Sequence, residues 1–104
     1  MREQRRARRY VLNLDILKIN GKSVQGARIL ELSTNGVRLE LPFSPRVNEQ
    51  LTLLFLLPGL KKPTKLIGRV LWKRPALEGR YVMGLQFYQN YWELDQWMRQ
   101  QTFK

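Results

Sequence analysis

ELSTNGVRLEL, residues 31–41, is the stretch that says most about the fold. Its polar middle, STNG, has the composition of a tight turn. After this turn Val37, Leu39 and Leu41 alternate with charged side chains, and a period of two indicates a strand with one buried face. The stretch therefore predicts a turn that leads into a half-buried β-strand.

Similar alternation occurs on both sides of this stretch. A strand begins near Val11, slips in phase at Leu17 as a β-bulge would, and ends at the hairpin signal Asn20–Gly21. The apolar run 51–57 favours a strand covered on both faces. Further strands are predicted over residues 23–32, 65–73 and 80–87. The last apolar stripe follows a helical period and predicts one helix over about residues 91–101. Five or six short strands and a final helix are typical of a small antiparallel barrel or sandwich with a helix packed on it.

Composition limits the function classes. The chain has 104 residues, enough for one domain, and a formal charge of +11, which favours a polyanionic partner. It has no cysteine and no histidine, which excludes disulfides, thiolate nucleophiles, imidazole bases and Cys/His metal sites. The acidic residues show no catalytic spacing, and there is no phosphate-binding loop pattern. We therefore predict a binding protein that is not an enzyme and needs no cofactor.

No targeting segment is visible in the sequence. Residues 1–9 are charged, and the longest apolar stretch, 51–57, is far shorter than the roughly 20 residues that a spanning helix needs. We expect a cytoplasmic protein that does not insert into membranes.

Two segments carry information about a binding site. Arg5, Arg6 and Arg9 belong to a basic run before the first strand, and guanidinium groups bind phosphate oxygens bidentately. The second segment is 31–36, where a serine hydroxyl and turn amides can hold a phosphate or a base edge. Gly36 there permits a tight turn or the close approach of a ligand. Taken singly, each segment is better explained without a ligand: the arginine run as a solvated basic tail, and residues 31–36 as an ordinary hairpin turn.

In this order and spacing the two segments resemble the PilZ family, whose pattern is RxxxR before the first strand and [D/N]xSxxG further on. Segments 68–72 and 83–87 are similar to the last two strands of that family. The resemblance covers essentially the whole chain. It implies a mainly β fold, a six-stranded antiparallel barrel with one C-terminal α-helix. It also implies a flexible basic arm over residues 1–9 and a single domain over residues 10–104.

The resemblance further implies binding of cyclic di-GMP, a bacterial second messenger, and signalling to an effector protein once the ligand orders the arm. The expected ligand-binding residues are Arg5, Arg6, Arg9, Glu31, Ser33, Asn35, Gly36 and Trp72. Arg5 and Arg9 match the motif arginines, although Arg2 and Arg6 have the same spacing. Trp72 takes the place of an aromatic residue that the family often has near the ligand, and packing is the equally good alternative for it.

Glu31 is a departure from the motif, which has Asp or Asn at this position. The longer side chain keeps an acceptor carboxylate but forms local turn hydrogen bonds less readily. Two alternatives therefore stay open. One is a PilZ-like interaction module that binds no nucleotide. The other is a nucleic-acid-binding barrel, which the charge and aromatic residues such as Tyr88 and Tyr91 favour but which we regard as the weaker of the two.

Overall fold

The structure, a computed structural model, describes residues 9–101. The elements in chain order are β1 (Tyr10–Ile19), β2 (Lys22–Ser23), β3 (Arg28–Leu32), β4 (Gly36–Leu41), β5 (Gln50–Phe55), β6 (Thr64–Pro75), a 3-10 turn (Leu77–Gly79), β7 (Tyr81–Phe87) and α1 (Trp92–Gln101). All strand pairs are antiparallel. The predicted mainly β fold is confirmed, and the predicted helix begins one residue later than expected.

A closed six-stranded barrel forms because β1 pairs with two strands. Its first half pairs with β3 and its second half with β5, so the order β1-β3-β4-β7-β6-β5 returns to β1. The register shifts between Ile16 and Lys18, so Leu17 is the extra residue of a bulge, as its broken alternation predicted. This bulge bends β1 from one neighbour to the other, and closure leaves no barrel edge unpaired.

The hairpin signal at Asn20–Gly21 is also confirmed. Asn20 has φ 53° and Gly21 has φ 83°, the two successive positive values that a tight two-residue hairpin requires. The predicted strand 23–32 was wrong as a single element. Gly26, with φ 81°, breaks it into the two-residue β2 and the barrel strand β3.

The core lies inside the barrel and continues under the helix. Inward positions of the strands are fully buried, among them Ile29, Leu39, Phe55 and Met83. The helix α1 packs on the core with Leu94, Trp97 and Met98. Two side-chain hydrogen bonds hold it there: the Tyr10 hydroxyl donates to the Met98 carbonyl at 3.1 Å, and Trp97 Nε1 donates to the Pro58 carbonyl at 2.8 Å.

The apolar run 51–57 alternates in burial, so the prediction of a strand covered on both faces was wrong. Leu51, Leu53 and Phe55 point inward, whereas Leu54 is half-buried and Leu56 is 44% exposed. The run is nearly continuous in sequence because leucines also occupy the outer face, and no described element covers them. Within residues 9–101, no helix is long and apolar enough to cross a bilayer.

Candidate functional site

The turn between β3 and β4 is built around the Ser33 hydroxyl. Ser33 Oγ accepts hydrogen bonds from the backbone N–H groups of Asn35 and Gly36, each at 3.2 Å, and donates to the Gly36 carbonyl at 3.2 Å. The Ser33 N–H adds a backbone bond to the same carbonyl at 2.9 Å. The serine of the motif therefore fixes the shape of the turn, and this role accounts for its position three residues before the glycine.

Gly36 is required by close packing and does not have a positive φ. It pairs with Gln86 on β7, and a Cβ atom at position 36 would overlap the carbonyl oxygen of Leu85. The sequence offered turn geometry or the approach of a ligand as the reason for this glycine, and the structure shows a different one, the close approach of the β7 backbone. Without a side chain at position 36, the end of the turn can lie directly against the β7 backbone at Leu85 and Gln86.

Glu31 links two arginines beside this turn. Its Oε1 accepts a hydrogen bond from Arg9 Nη1 at 3.1 Å, and its Oε2 lies 3.6 Å from Arg38 Nη2. Arg38 reaches the carboxylate because it is the register partner of Glu31 across the β3–β4 pair. Arg38 Nε is buried and has no hydrogen-bond partner among the described residues. The side chains of Arg9 and Arg38 are 69% and 40% exposed, so both guanidinium groups remain open to an incoming anion.

Trp72, on β6, lies on the other side of β7 from this turn and these arginines. The register of the β6–β7 pair shifts between Val70 and Trp72, so Leu71 and Trp72 both face outward at a bulge. The indole ring lies over Gly84 of β7 and is itself 37% exposed. The Arg74 guanidinium lies 5.2 Å from the ring centroid, within the range of a cation–π contact.

These parts enclose one open groove of about 380 Å³. Its lining residues are Arg9, Glu31, Leu32, Ser33, Asn35, Gly36, Val37, Arg38, Leu71, Trp72, Gly84, Leu85 and Gln86. The groove offers guanidinium groups and a carboxylate on one side and an aromatic ring on the other. Such a combination suits a ligand with a phosphate and a planar base, because arginine binds phosphate bidentately and an indole face stacks on a base.

The predicted site residues meet in this groove wherever the structure describes them. Arg9, Glu31, Ser33, Asn35, Gly36 and Trp72 all line it. Of the predicted arm, residues 1–8 lie outside the described residues. They include Arg5 and Arg6, and also Arg2, which belongs to the alternative register. The choice between the two arginine registers therefore stays a prediction, although Arg9, the described member of the preferred register, lies at the groove.

Sequence reasoning missed Arg38, Leu71 and Gln86. Arg38 was within reach, since it follows Gly36 by two residues and strand alternation places both on the same outer face. Gln86 is found only through pairing, as the register partner of both Gly36 and Arg69. Leu71 joins the groove through a bulge that the pattern of β6 did not reveal.

The aromatic residues cited for nucleic-acid binding behave differently from one another. Tyr88 is 55% exposed, but Tyr91 is half-buried. The Tyr91 hydroxyl accepts a hydrogen bond from the Ile67 N–H at 2.9 Å, and its ring packs edge-on against Phe87. Tyr91 therefore anchors the start of the helix to β6 and is not a free stacking surface.

Comparison with known proteins gives the same class as the fold and the motif. The family model described as "PilZ domain" matches residues 3–100, so the chain belongs to the PilZ domain family. PilZ domains are binding and adaptor modules. No match was found among curated protein sequences.

One solved structure with the same fold is the inhibitor of motility MotI/DgrA of Bacillus subtilis, at a TM-score of 0.70 and 18% sequence identity. The alignment covers 96% of the present chain and 52% of the other, so this chain spans about half the length of that protein.

Proposed function

We propose that this PilZ domain is a cyclic di-GMP receptor that passes the signal to an effector protein without catalysis. The observation that carries the proposal is the groove itself. Six predicted site residues, from three separate segments of the sequence, line one cavity: Arg9, Glu31, Ser33, Asn35, Gly36 and Trp72. Their juxtaposition has no evident role in core packing, because the groove lies on the outer face of the barrel.

Each part of the groove has a chemical counterpart in the ligand. Arg9 and Arg38 supply guanidinium groups for the two phosphates, joined in this proposal by Arg5 and Arg6 of the arm. Trp72 supplies a face on which a guanine base stacks. Glu31 and Asn35 supply acceptor oxygens for the guanine N–H groups.

Signalling then follows from charge. The arm carries a run of arginines, and the dianionic ligand neutralises several of them at once, which favours closure of the arm over the groove. Closure replaces a basic surface by a neutral one that includes the ligand. We propose that the effector protein distinguishes these two surfaces.

The test is isothermal titration of cyclic di-GMP into the full chain at physiological salt, with GMP as the control ligand. We expect saturable heat with cyclic di-GMP and none with GMP, and the fitted stoichiometry gives one or two molecules per chain. Arg5→Ala and Arg9→Ala should each weaken binding about ten- to a hundredfold, the effect of losing one charge-assisted contact. Arg46→Ala removes an exposed arginine outside the groove and should leave the affinity unchanged.

A nucleotide-free interaction module is the second candidate, and the Glu31 contacts favour it. The carboxylate already partners Arg9 and Arg38, as a ligand phosphate would. No heat with cyclic di-GMP, together with no thermal stabilisation at high ligand concentration, would decide for this candidate. A nucleic-acid-binding barrel would instead give an affinity that falls steeply with salt over many phosphates.

A further inference from the structure

The lysines of the barrel are concentrated on one side, away from the groove. The β1–β2 hairpin carries Lys18 and Lys22, and the β5–β6 hairpin carries Lys61, Lys62 and Lys65. All five are exposed, and none forms an ion pair or a side-chain hydrogen bond with another residue in the described part of the chain. The two hairpins are neighbours because β1 pairs with β5. This side of the molecule therefore carries uncompensated positive charge.

Strand register places part of this charge in one outward row. Lys18 on β1 is opposite Leu54 on β5, which is in turn opposite Lys65 on β6. These three side chains also line one shallow depression. Leu17, which precedes Lys18 in β1, and Leu56, which follows the end of β5, are each 44% exposed. Lysine and leucine thus alternate over three adjacent strands.

A second groove, of about 420 Å³, lies between the β5–β6 connection and the start of α1, and its lining includes Thr64, the chain neighbour of Lys65. Leu60, Lys61, Lys62 and Trp92 line it, and Glu93 is the acidic residue there. Trp92 is 72% exposed, although tryptophan has the largest apolar side chain. An exposed tryptophan beside an exposed leucine and two free lysines indicates a surface that meets something apolar and anionic at once.

We propose that this surface, which we call the lysine face (Lys18, Lys61, Lys62, Lys65, Leu60 and Trp92), docks on an anionic lipid bilayer. Lysine ammonium groups reach lipid phosphates while their stems lie along apolar surface. Tryptophan is enriched where hydrocarbon meets the headgroups. The leucines favour a bilayer over nucleic acid, because they add nothing to phosphate binding and bury apolar area in lipid. The lysine face shares no residue with the groove at Trp72, so the proposal does not rest on nucleotide binding.

The test is sedimentation of the full chain with phosphatidylcholine vesicles, with and without one quarter phosphatidylglycerol, at physiological salt. We expect binding to the anionic vesicles and a blue shift of tryptophan emission. Each lysine near a charged bilayer contributes about fivefold to the partition coefficient. The double variant Lys61→Gln/Lys62→Gln should therefore bind about twenty-five-fold more weakly. Trp92→Ala should bind about tenfold more weakly and lose the blue shift.

Matched controls separate docking from general attraction by the charge of the chain. Arg46→Gln/Lys73→Gln removes two positive charges at exposed positions elsewhere, and with them the Lys73 hydrogen bonds to Ser44 Oγ and the Pro45 carbonyl. Leu77→Ala removes an apolar side chain that is 84% exposed on the β6–β7 connection. Both controls should bind as the parent does. Equal weakening by control and lysine-face variants would overturn the proposal, as would the absence of binding to anionic vesicles. Tight binding of a short RNA that depends on the lysines but not on Trp92 would overturn it in favour of nucleic acid.

Discussion

The Trp72 indole lies directly over Gly84 of the neighbouring strand. The two residues are register partners in the β6–β7 pair, and a Cβ atom at position 84 would come within 2.8 Å of Trp72 Cε2. Gly84 is buried under the ring, while the outer part of the ring lines the groove. The glycine therefore determines how deep the tryptophan lies, and with it the shape of the groove wall.

Gly84→Ala should push the Trp72 ring outward and disturb the site. Overpacking of this kind costs about 1–3 kcal/mol of unfolding free energy, which chemical denaturation measures. We also expect weaker binding of cyclic di-GMP, because the ring no longer lies where a base would stack. Trp72→Ala is the matched control, since it removes the overlap together with the stacking surface. In the double variant, Gly84→Ala should add little further loss of affinity, and a large additional loss would contradict this account.

Arg38→Ala should weaken cyclic di-GMP binding about ten- to a hundredfold, as expected for loss of one charge-assisted contact. The reason is the partly exposed guanidinium at the groove, whose Nε has no partner among the described residues. Arg38→Lys keeps the charge without the bidentate geometry and should recover only part of the affinity. Titration calorimetry measures all three proteins. Full affinity in Arg38→Ala would exclude this residue from the site.

The strand pattern predicted most of the fold because alternation reports which side chains face the core. It located β4, β6, β7 and the helix to within a few residues, and the phase slip at Leu17 revealed the bulge that closes the barrel. The strand pattern failed for β5, where the sequence does not alternate although burial does. In β5, leucines occupy both faces although only one is covered.

The site was predictable to the extent that it follows a local motif. Ser33 and Gly36 were found from their spacing, whereas the reason for the glycine, the approach of Leu85, depends on strand pairing. Gln86 reaches the groove through cross-strand register, which no local pattern encodes, whereas Arg38 shares its outer face with Gly36 by simple strand alternation. Residues brought together by register or by a bulge therefore needed the structure.

Glu31→Gln tests whether this carboxylate limits ligand affinity. The substitution keeps the length and an acceptor oxygen but removes the negative charge that partners Arg9 and Arg38. We expect cyclic di-GMP to bind about fivefold more tightly, because a charge interaction with a well-exposed partner is worth about 1 kcal/mol. The thermal midpoint should change little, since the Arg9 and Arg38 side chains are 69% and 40% exposed and such pairs contribute little to stability. Weaker binding in the variant would contradict this expectation and mean that the guanine N–H groups need the charged carboxylate as their acceptor.

Glu40 makes the stability of the barrel depend on pH. Its carboxylate lies between Arg28 Nη2 and Arg80 Nε, each at 2.9 Å, and the side chain is 14% exposed. Burial alone would raise the pKa of Glu40, but hydrogen bonds and charges of Arg80 and Arg28 outweigh it, and the pKa lies below its ordinary value of 4.5. Because the folded-state pKa is the lower one, the ionised carboxylate stabilises the fold above pH 4.5.

This contribution is lost as the pH falls through the folded-state pKa of Glu40. Denaturation of the parent should therefore show falling stability below pH 4.5, and Glu40→Gln should show a smaller fall over the same range. At neutral pH the variant should be less stable by about 1–3 kcal/mol, because two arginines lose a charged partner. Glu78→Gln, at an exposed position on the β6–β7 connection, is the control and should follow the parent at every pH. A parallel pH profile for Glu40→Gln and the parent would show that other carboxylates cause the acid sensitivity.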